Sequence, residues 1–392
     1  MTIPDWPCFD LDQIEAASTI LASGKVNYWT GEEGRLFEKE FSKWCGTSQA
    51  IALSNGSLAL SACYESINLA PGDEIITSPR TFIATASSAV LSGAIPRFAD
   101  VSRESGVITV ETIEPLINKR TKAISVVHLG GWPADMEAIC KLAKHYKLYV
   151  IEDCAQSHGA KLSVNGRYKS VGSFGDLAAW SFCQDKIMTT GGEGGMVTTS
   201  NLDLWESIWS YKDHGKSWDA VFNRKHDEGY RFVHETIGTN FRLTEFQSAI
   251  GRIQLKKMSE WTLIRKRNAK ILSDVLKPLS FIRVPIIPNG IEHAWYKYYC
   301  YLKLDELKSD WSRNRIVSEI KSHGYPAFHG SCGEIYLEKC FKSKNLTPVE
   351  RLPVAKELGE TSLMFLVHPT ISAIQMSDYA ELIRSVLVQS VK

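Results

Sequence analysis

Residues 123–152 read AISVVHLGGWPADMEAICKLAKHYKLYVIE, and their reading sets the fold class. Residues 123–127 carry the β-branched Ile124, Val126 and Val127, and the glycine- and proline-containing stretch 129–133 turns the chain. Residues 136–146 then place Ile139, Leu142 and Ala143 on one helical face. Residues 148–152 return as a second apolar strand. Strand, helix, strand over this length is a βαβ unit, which requires parallel neighbours.

The pattern continues on both sides. Strands are expected at 50–54, 74–78, 95–99, 177–182 and 195–199, and helices at 57–67 and 85–92. The expected class is α/β, with a mainly parallel sheet covered by helices on both faces. Residues 242–258 carry Leu243, Phe246, Ala249, Ile250 and Ile253 at helical spacing, and 260–276 extends them as a long helix. Pro278, Pro285 and Pro288 follow. These mark a domain boundary near residue 260: a large domain over 1–260 and a small α+β domain over 261–392. The small domain has a strand at 296–304 and helices at 313–322 and 377–391. The polar stretch 210–238 reads as a loop long enough to be functional or mobile.

Composition narrows the function. The chain has 392 residues, with 45 Lys+Arg against 44 Asp+Glu and a formal charge of +1. That balance argues against a nucleic-acid binder. No run approaches the roughly 18–20 apolar residues of a membrane helix. The opening residues lack a basic segment followed by an apolar one, so no signal peptide is expected. The nine cysteines form no CxxC pair, so neither a disulfide framework nor a metal site is indicated. A soluble cytoplasmic protein is expected.

Three segments carry chemistry. Residues 181–195, SFCQDKIMTTGGEGG, set Lys186 between a buried strand and a glycine-rich turn. A desolvated lysine there can form a Schiff base with an aldehyde, although a surface lysine beside a turn reads equally well. Residues 150–159, VIEDCAQSHG, set Asp153 at the C-terminal end of a strand, where open α/β sheets bind ligands. Read on this segment alone, Asp153 is more readily a helix cap. Residues 53–60, LSNGSLAL, run a strand into a helix start whose N–H groups and Ser57 hydroxyl can cradle a phosphate, or simply cap the helix. No GxxxxGK[ST] occurs, which argues against nucleotide hydrolysis. A phosphate cradle, a strand-end acid and a later lysine, in that order, are the equipment for pyridoxal phosphate.

The chain resembles the DegT/DnrJ/EryC1/StrS family of sugar aminotransferases, within the fold-type I pyridoxal-phosphate enzymes. The likeness rests on WTGEEGRLFEKEFSKWCG (29–46), PGDEIITSPRTFIATASS (71–88), VHLGGWPADM (127–136), IEDCAQSHGA (151–160), SFGDLAAWSF (173–182), DHG (213–215), TNFRLTEFQSAIG (239–251) and LMFLVHPTIS (363–372). It implies a mostly parallel, mixed seven-stranded sheet. It implies that Lys186 joins the cofactor through a Schiff base and later shuttles the proton. Asp153 would pair with the pyridine nitrogen, Gln156 would meet the ring or its hydroxyl, and Phe82 would stack on the ring. Ser57, the Leu58 N–H and Ser181 would hold the phosphate, and Asn240 would reach the phosphate of a neighbouring subunit, making a homodimer obligatory. Lysine at 186, where related sugar 3-dehydratases carry histidine, favours transamination.

The expected reaction is ping-pong transfer from L-glutamate, through pyridoxamine phosphate, to a nucleotide-linked keto-sugar. The acceptor is taken as a 4-keto-6-deoxyhexose, feeding a surface polysaccharide such as the O-antigen of lipopolysaccharide, or a natural product. Amination at C3, a ketocyclitol acceptor, a dehydratase and a non-catalytic cofactor-binding regulator are the alternatives. Trp29, Thr30, His214, Arg242, His329 and Tyr336 are candidate sugar-site residues, with Lys216 and Arg231 as further cations. Tyr336 keeps the family's tyrosine, but Cys332 and Gly333 stand near where relatives carry a histidine. His368 is expected to be structural.

Overall fold

The computed structural model describes residues 3–392. Thirteen strands occur among the described residues: β1 (Gln49–Leu53), β2 (Glu74–Thr77), β3 (Ile95–Phe98), β4 (Thr121–Val127), β5 (Tyr149–Asp153), β6 (Lys161–Val164), β7 (Arg167–Ser170), β8 (Leu177–Ser181), β9 (Gly195–Thr199), β10 (Ile282–Arg283), β11 (Ile291–Glu292), β12 (Tyr298–Leu302) and β13 (Ser362–Phe365). Seven build the main sheet in the order β1-β9-β8-β5-β4-β2-β3. β8, β5, β4, β2 and β3 run parallel, and β9 is antiparallel to both β8 and β1. The α/β class and the mostly parallel seven-stranded sheet are as expected.

Crossovers between parallel strands place helices on the two faces. On one side the helices Gly56–Ser66 and Leu202–Tyr211 pack Leu60, Tyr64, Ile208 and Trp209 against Ile51, Ile151 and Val197. On the other, the helix Met136–Tyr146 lays Ile139, Leu142 and Ala143 on Ile76, Ile124 and Val126. That helix starts where Asp135 accepts the Ala138 N–H at 3.1 Å.

A 32-residue helix, Glu245–Leu276, joins the sheet region to the C-terminal part. It starts later than residue 242 because Thr244 and Gln247 form a capping box. Arg242 and Leu243 therefore lie on the preceding extended strip. The helix runs unbroken through residue 260, where the domain boundary was expected. Beyond it, β10, β12 and β13 form a three-stranded antiparallel sheet. The helices Arg313–Ser322 and Ala373–Gln389 close over this sheet on a core that includes Tyr298, Cys300, Leu363, Phe365 and Tyr379.

The hairpin β6–β7 was not expected from the sequence. It turns at Asn165-Gly166, both at positive φ, a strong two-residue hairpin signal. The stretch 210–238 is not wholly loop: the preceding helix runs to Tyr211, and Trp218–Phe222 forms a short helix. No helix among the described residues is long and apolar enough to cross a membrane.

Candidate active site

The carboxyl ends of the parallel strands bring the first constellation together. β5 ends at Asp153 and β8 beside it ends at Ser181. Asp153 is buried, and its Oδ2 accepts the Thr85 hydroxyl at 2.7 Å while Oδ1 accepts the Ala155 N–H at 3.1 Å. Thr85 has one proton and gives it to Asp153, so the Thr81 hydroxyl at 2.8 Å donates to Thr85. Burial pushes the Asp153 carboxyl above the ordinary aspartate value, against the pull of Thr85, Ala155 and the positive charge of Lys186. A buried carboxylate at a strand end, served only by neutral donors, favours a cation facing it.

Lys186 follows β8 in a tight turn, with its N–H on the Cys183 carbonyl and its carbonyl accepting the Trp6 indole N–H at 2.8 Å. Its ammonium lies 5.2 Å from the centroid of the Tyr296 ring. Gln156 is buried, and its Oε1 accepts the Gly130 N–H at 2.7 Å, which leaves its amide nitrogen as the free donor. Phe82 is 64% exposed, an aromatic face without cover.

The phosphate cradle forms where three strands meet. Leu53 at the end of β1 pairs with Gly195, which pairs with Ser181. The helix Gly56–Ser66 starts there, capped by Asn55, whose Oδ1 accepts the Leu58 N–H at 2.9 Å. A Cβ on Gly56 would lie 2.6 Å from the Ser181 Cβ, and one on Gly195 would lie 2.3 Å from the Asn55 carbonyl oxygen. Only glycines let these backbones approach so closely. The helix start, the exposed Ser57 hydroxyl and Ser181 make a compact anion-binding concavity. The residues present thus fit pyridoxal phosphate at both ends: a phosphate cradle, and a buried acid beside a lysine.

A second constellation centres on Asp213, which is buried. Its Oδ1 accepts Arg242 at 2.8 Å and Lys216 at 2.9 Å, and its Oδ2 accepts the Trp29 indole N–H at 2.8 Å. Lys216 also lies over the Trp29 ring at 4.2 Å. The strip carrying Asn240 and Arg242 pairs with Asp213 on one side and with Leu53 on the other, so it runs beside the cradle. Asn240, His214 and Thr30 are exposed there, and His214 takes a positive φ with its N–H on the Thr239 carbonyl. Sequence reasoning proposed Trp29, Lys216 and Arg242 separately; Asp213, which joins them, was visible only as part of the DHG element.

The model of the DegT/DnrJ/EryC1/StrS aminotransferase family matches residues 7–384. The chain belongs to this family. It is 49% identical to the aminotransferase from Psychrobacter cryohalolentis, with a TM-score of 0.96 and 99% of each chain covered. It is 33% identical to a UDP-N-acetyl-3-dehydro-alpha-D-glucosamine 3-aminotransferase of Acidithiobacillus ferrooxidans, covering 92% of this chain and 90% of that one. It is 33% identical to GDP-perosamine synthase of Caulobacter vibrioides, covering 82% and 85%.

In this family member the remaining sugar-site candidates divide. His329 is exposed on the segment after the helix Arg313–Ser322, and Arg231 is exposed in the loop before Asn240. Tyr336 is buried against Phe98, its hydroxyl donates to Glu334, and it accepts the Leu352 N–H at 2.9 Å. Its one proton is thus committed to Glu334 and the side chain is buried away from solvent. Cys332 and Gly333 are held differently: Cys332 is exposed, while Gly333 packs on Gly359. His368 is buried, stacked on Trp6 and bonded to Thr370 at 2.8 Å.

Other groups at the site were not anticipated. His128, Glu152 and Cys154 lie within 4.8 Å of one another. His128 Nδ1 accepts the Ala134 N–H, so its proton is on Nε2 and is donated to Glu152 at 3.1 Å. Glu152 also accepts the N–H groups of Gly172, Phe174 and Gly175, each at 2.8 Å. Burial raises its pKa, but these donors outweigh burial and hold it below the ordinary glutamate value. Every strong acceptor is engaged, and the cluster is a hydrogen-bond knot beneath Asp153. Its donors come from backbone far along the chain, so no local pattern announced it.

Proposed function

We propose that the protein is a pyridoxal-phosphate-dependent aminotransferase that moves an amino group from L-glutamate to a nucleotide-linked keto-sugar by a ping-pong mechanism. The acceptor proposed is a 4-keto-6-deoxyhexose. The observation that carries the reading is the buried Asp153 carboxylate, fixed by Thr85 at one strand end, beside the amine of Lys186 at the next. When bound, pyridoxal phosphate supplies the electron sink that lets an amino acid's α-proton leave.

The chain's residues do the rest. Lys186 would hold the cofactor covalently and, once its amine is freed by the incoming substrate amine, would move the proton off or onto the substrate carbon in each half-reaction. Asp153 keeps a positive charge on the pyridine nitrogen. Gln156 offers its free amide nitrogen to the ring hydroxyl, and Phe82 offers a face for stacking. Ser57, Ser181 at the end of β8 and the first N–H groups of the helix Gly56–Ser66 hold the phosphate; the Leu58 N–H is shared with Asn55. Trp29, Thr30, His214 and Arg242 line the sugar side, with Asp213 fixing the charges.

The proposed active form is a cytoplasmic homodimer. Asn240 is exposed beside the cradle, and Phe232 and Ile237 nearby are 85% and 94% exposed, which suits a strip that enters a neighbouring subunit. A second reading, amination at C3, is favoured by the name and coverage of the Acidithiobacillus relative.

The test is the visible spectrum of the protein loaded with pyridoxal phosphate. L-Glutamate is expected to bleach the band, and an accepting keto-sugar to restore it. A panel of UDP-, GDP- and dTDP-linked 3-keto and 4-keto sugars then assigns the carbon. A protein that takes up no pyridoxal phosphate would defeat the reading.

A further inference from the structure

We infer that Lys297 is the receptor for a carboxylate of the amino donor, held in position by Asp185 and Tyr296. The inference rests on the aminotransferase reading above and deepens it.

The segment leading into β12 is clamped against the site. The N–H groups of Ala294 and Tyr296 donate to the carbonyls of Gly131 and Gly130, at 2.9 and 3.0 Å. Gly130 is the residue whose N–H fixes Gln156. The Tyr296 hydroxyl donates to Asp185, the neighbour of Lys186 in sequence. Lys297 Nζ lies 3.8 Å from the same Asp185 carboxylate. The ammonium groups of Lys297 and Lys186 lie 4.7 and 5.2 Å from the centroid of the Tyr296 ring, so one tyrosine positions both.

Charge is unbalanced here. The Lys297 side chain is 12% exposed, and burial pushes its pKa down to about 8. Arg265 is buried, and only one of its nitrogens finds acceptors, the carbonyls of Trp295 and Tyr296 at 3.3 Å. Its Nε and second terminal nitrogen have no partner among the described residues. Lys297 and Arg265 thus share one carboxylate, Asp185, which already accepts from Tyr296, while Lys186 faces Asp153 as well. Buried positive charge without a matching anion is unfavourable and attracts one.

Two proposed ligands bring anions. The cofactor phosphate is assigned to the cradle at the end of β1. The cavity that Lys297 lines with Glu104, Leu129, Trp132, His293 and Tyr299 is ≈ 20 Å³, room for one small terminal group and not for a nucleotide diphosphate. An amino acid must bring its α-carbon, and hence a carboxylate, beside Lys186 for the proton to be moved. A carboxylate on Lys297 meets both the charge and the space.

The experiment uses the full-length protein loaded with pyridoxal phosphate. Glutarate, an unreactive dicarboxylate, is titrated calorimetrically into wild type, Lys297→Met and Lys297→Arg, with UDP and dTDP titrated in parallel. Lys297→Met is expected to weaken glutarate at least tenfold and to raise by a similar factor the L-glutamate concentration that half-bleaches the cofactor band. Lys297→Arg is expected to recover part of both, with nucleotide affinity and the unfolding midpoint unchanged. Unchanged glutarate affinity in Lys297→Met overturns the inference, as does a loss confined to the nucleotides. A wild-type band that no amino donor bleaches counts against the aminotransferase reading instead, while the glutarate titration still decides Lys297.

Discussion

Glu152→Gln tests the knot beneath Asp153 more severely than any surface change could. The carboxylate accepts on both oxygens: Gly172 and His128 on one, Phe174 and Gly175 on the other. A glutamine amide has one accepting end. Whichever way it is turned, two N–H donors face its NH2 group. His128 cannot adapt by moving its proton, because its Nδ1 is held by the Ala134 N–H. Two charge-assisted bonds at about 1.5–3 kcal/mol each give a loss of roughly 3–6 kcal/mol. Equilibrium denaturant unfolding followed by far-UV circular dichroism reads this as a lower midpoint. The sign with pH also follows. The Glu152 pKa is depressed in the folded protein, so its contribution is present above the unfolded value and lost as pH falls through the folded one. The gap between variant and wild type therefore narrows in acid. A loss below about 1 kcal/mol at neutral pH would mean that the knot is not a unit, and would refute the reasoning.

Other outcomes follow from the same geometry. Lys186→Ala should lower turnover at least ~10³-fold while leaving the unfolding midpoint near wild type, since among the described residues no hydrogen bond from its ammonium holds the turn; retained activity in a steady-state assay would end the proton-transfer role. Thr85→Val removes the strongest donor to Asp153, so the Asp153 carboxyl should rise further and the acid limb of the pH–rate profile should move to higher pH. An unmoved limb would show that Asp153 does not set it. Gly56→Ala puts a methyl 2.6 Å from the Ser181 Cβ, and should cost about 1–3 kcal/mol and weaken pyridoxal phosphate binding, read by spectral titration.

Much of this was legible in the sequence because it is written locally. The βα alternation comes from periodicity, and Lys186 and Asp153 each sit at a strand end that adjacent residues define. The constellations that tune them are written across the chain. Asp185 meets Tyr296, Asp213 meets Trp29, and Glu152 meets the backbone at 172–175 only after the sheet has formed. Tyr336 shows the converse: it matched a family position, but Glu334 and the Leu352 N–H hold its hydroxyl in this chain. The late start of the long helix was legible in the Thr244–Gln247 spacing and was overridden by the apolar pattern beginning at Leu243.

That helix, Glu245–Leu276, is a single beam. It has no proline, and its Gly251 is wedged where a Cβ would meet Phe37 and Thr190. Its first half braces the N-terminal helices Leu11–Ser23 and Glu33–Cys45, and it also packs against Ala373–Gln389 of the C-terminal part. A beam anchored at both ends resists bending, so the Lys297 side of the site cannot swing away from Lys186 as a door would. On the proposed function, room for a bulky sugar would then have to come from exposed chain outside the beam, such as the loop before Asn240 and the segment around His329. A protein severed at residue 260 would break the beam at mid-span and strip Trp261 and Arg265 from beneath Trp6.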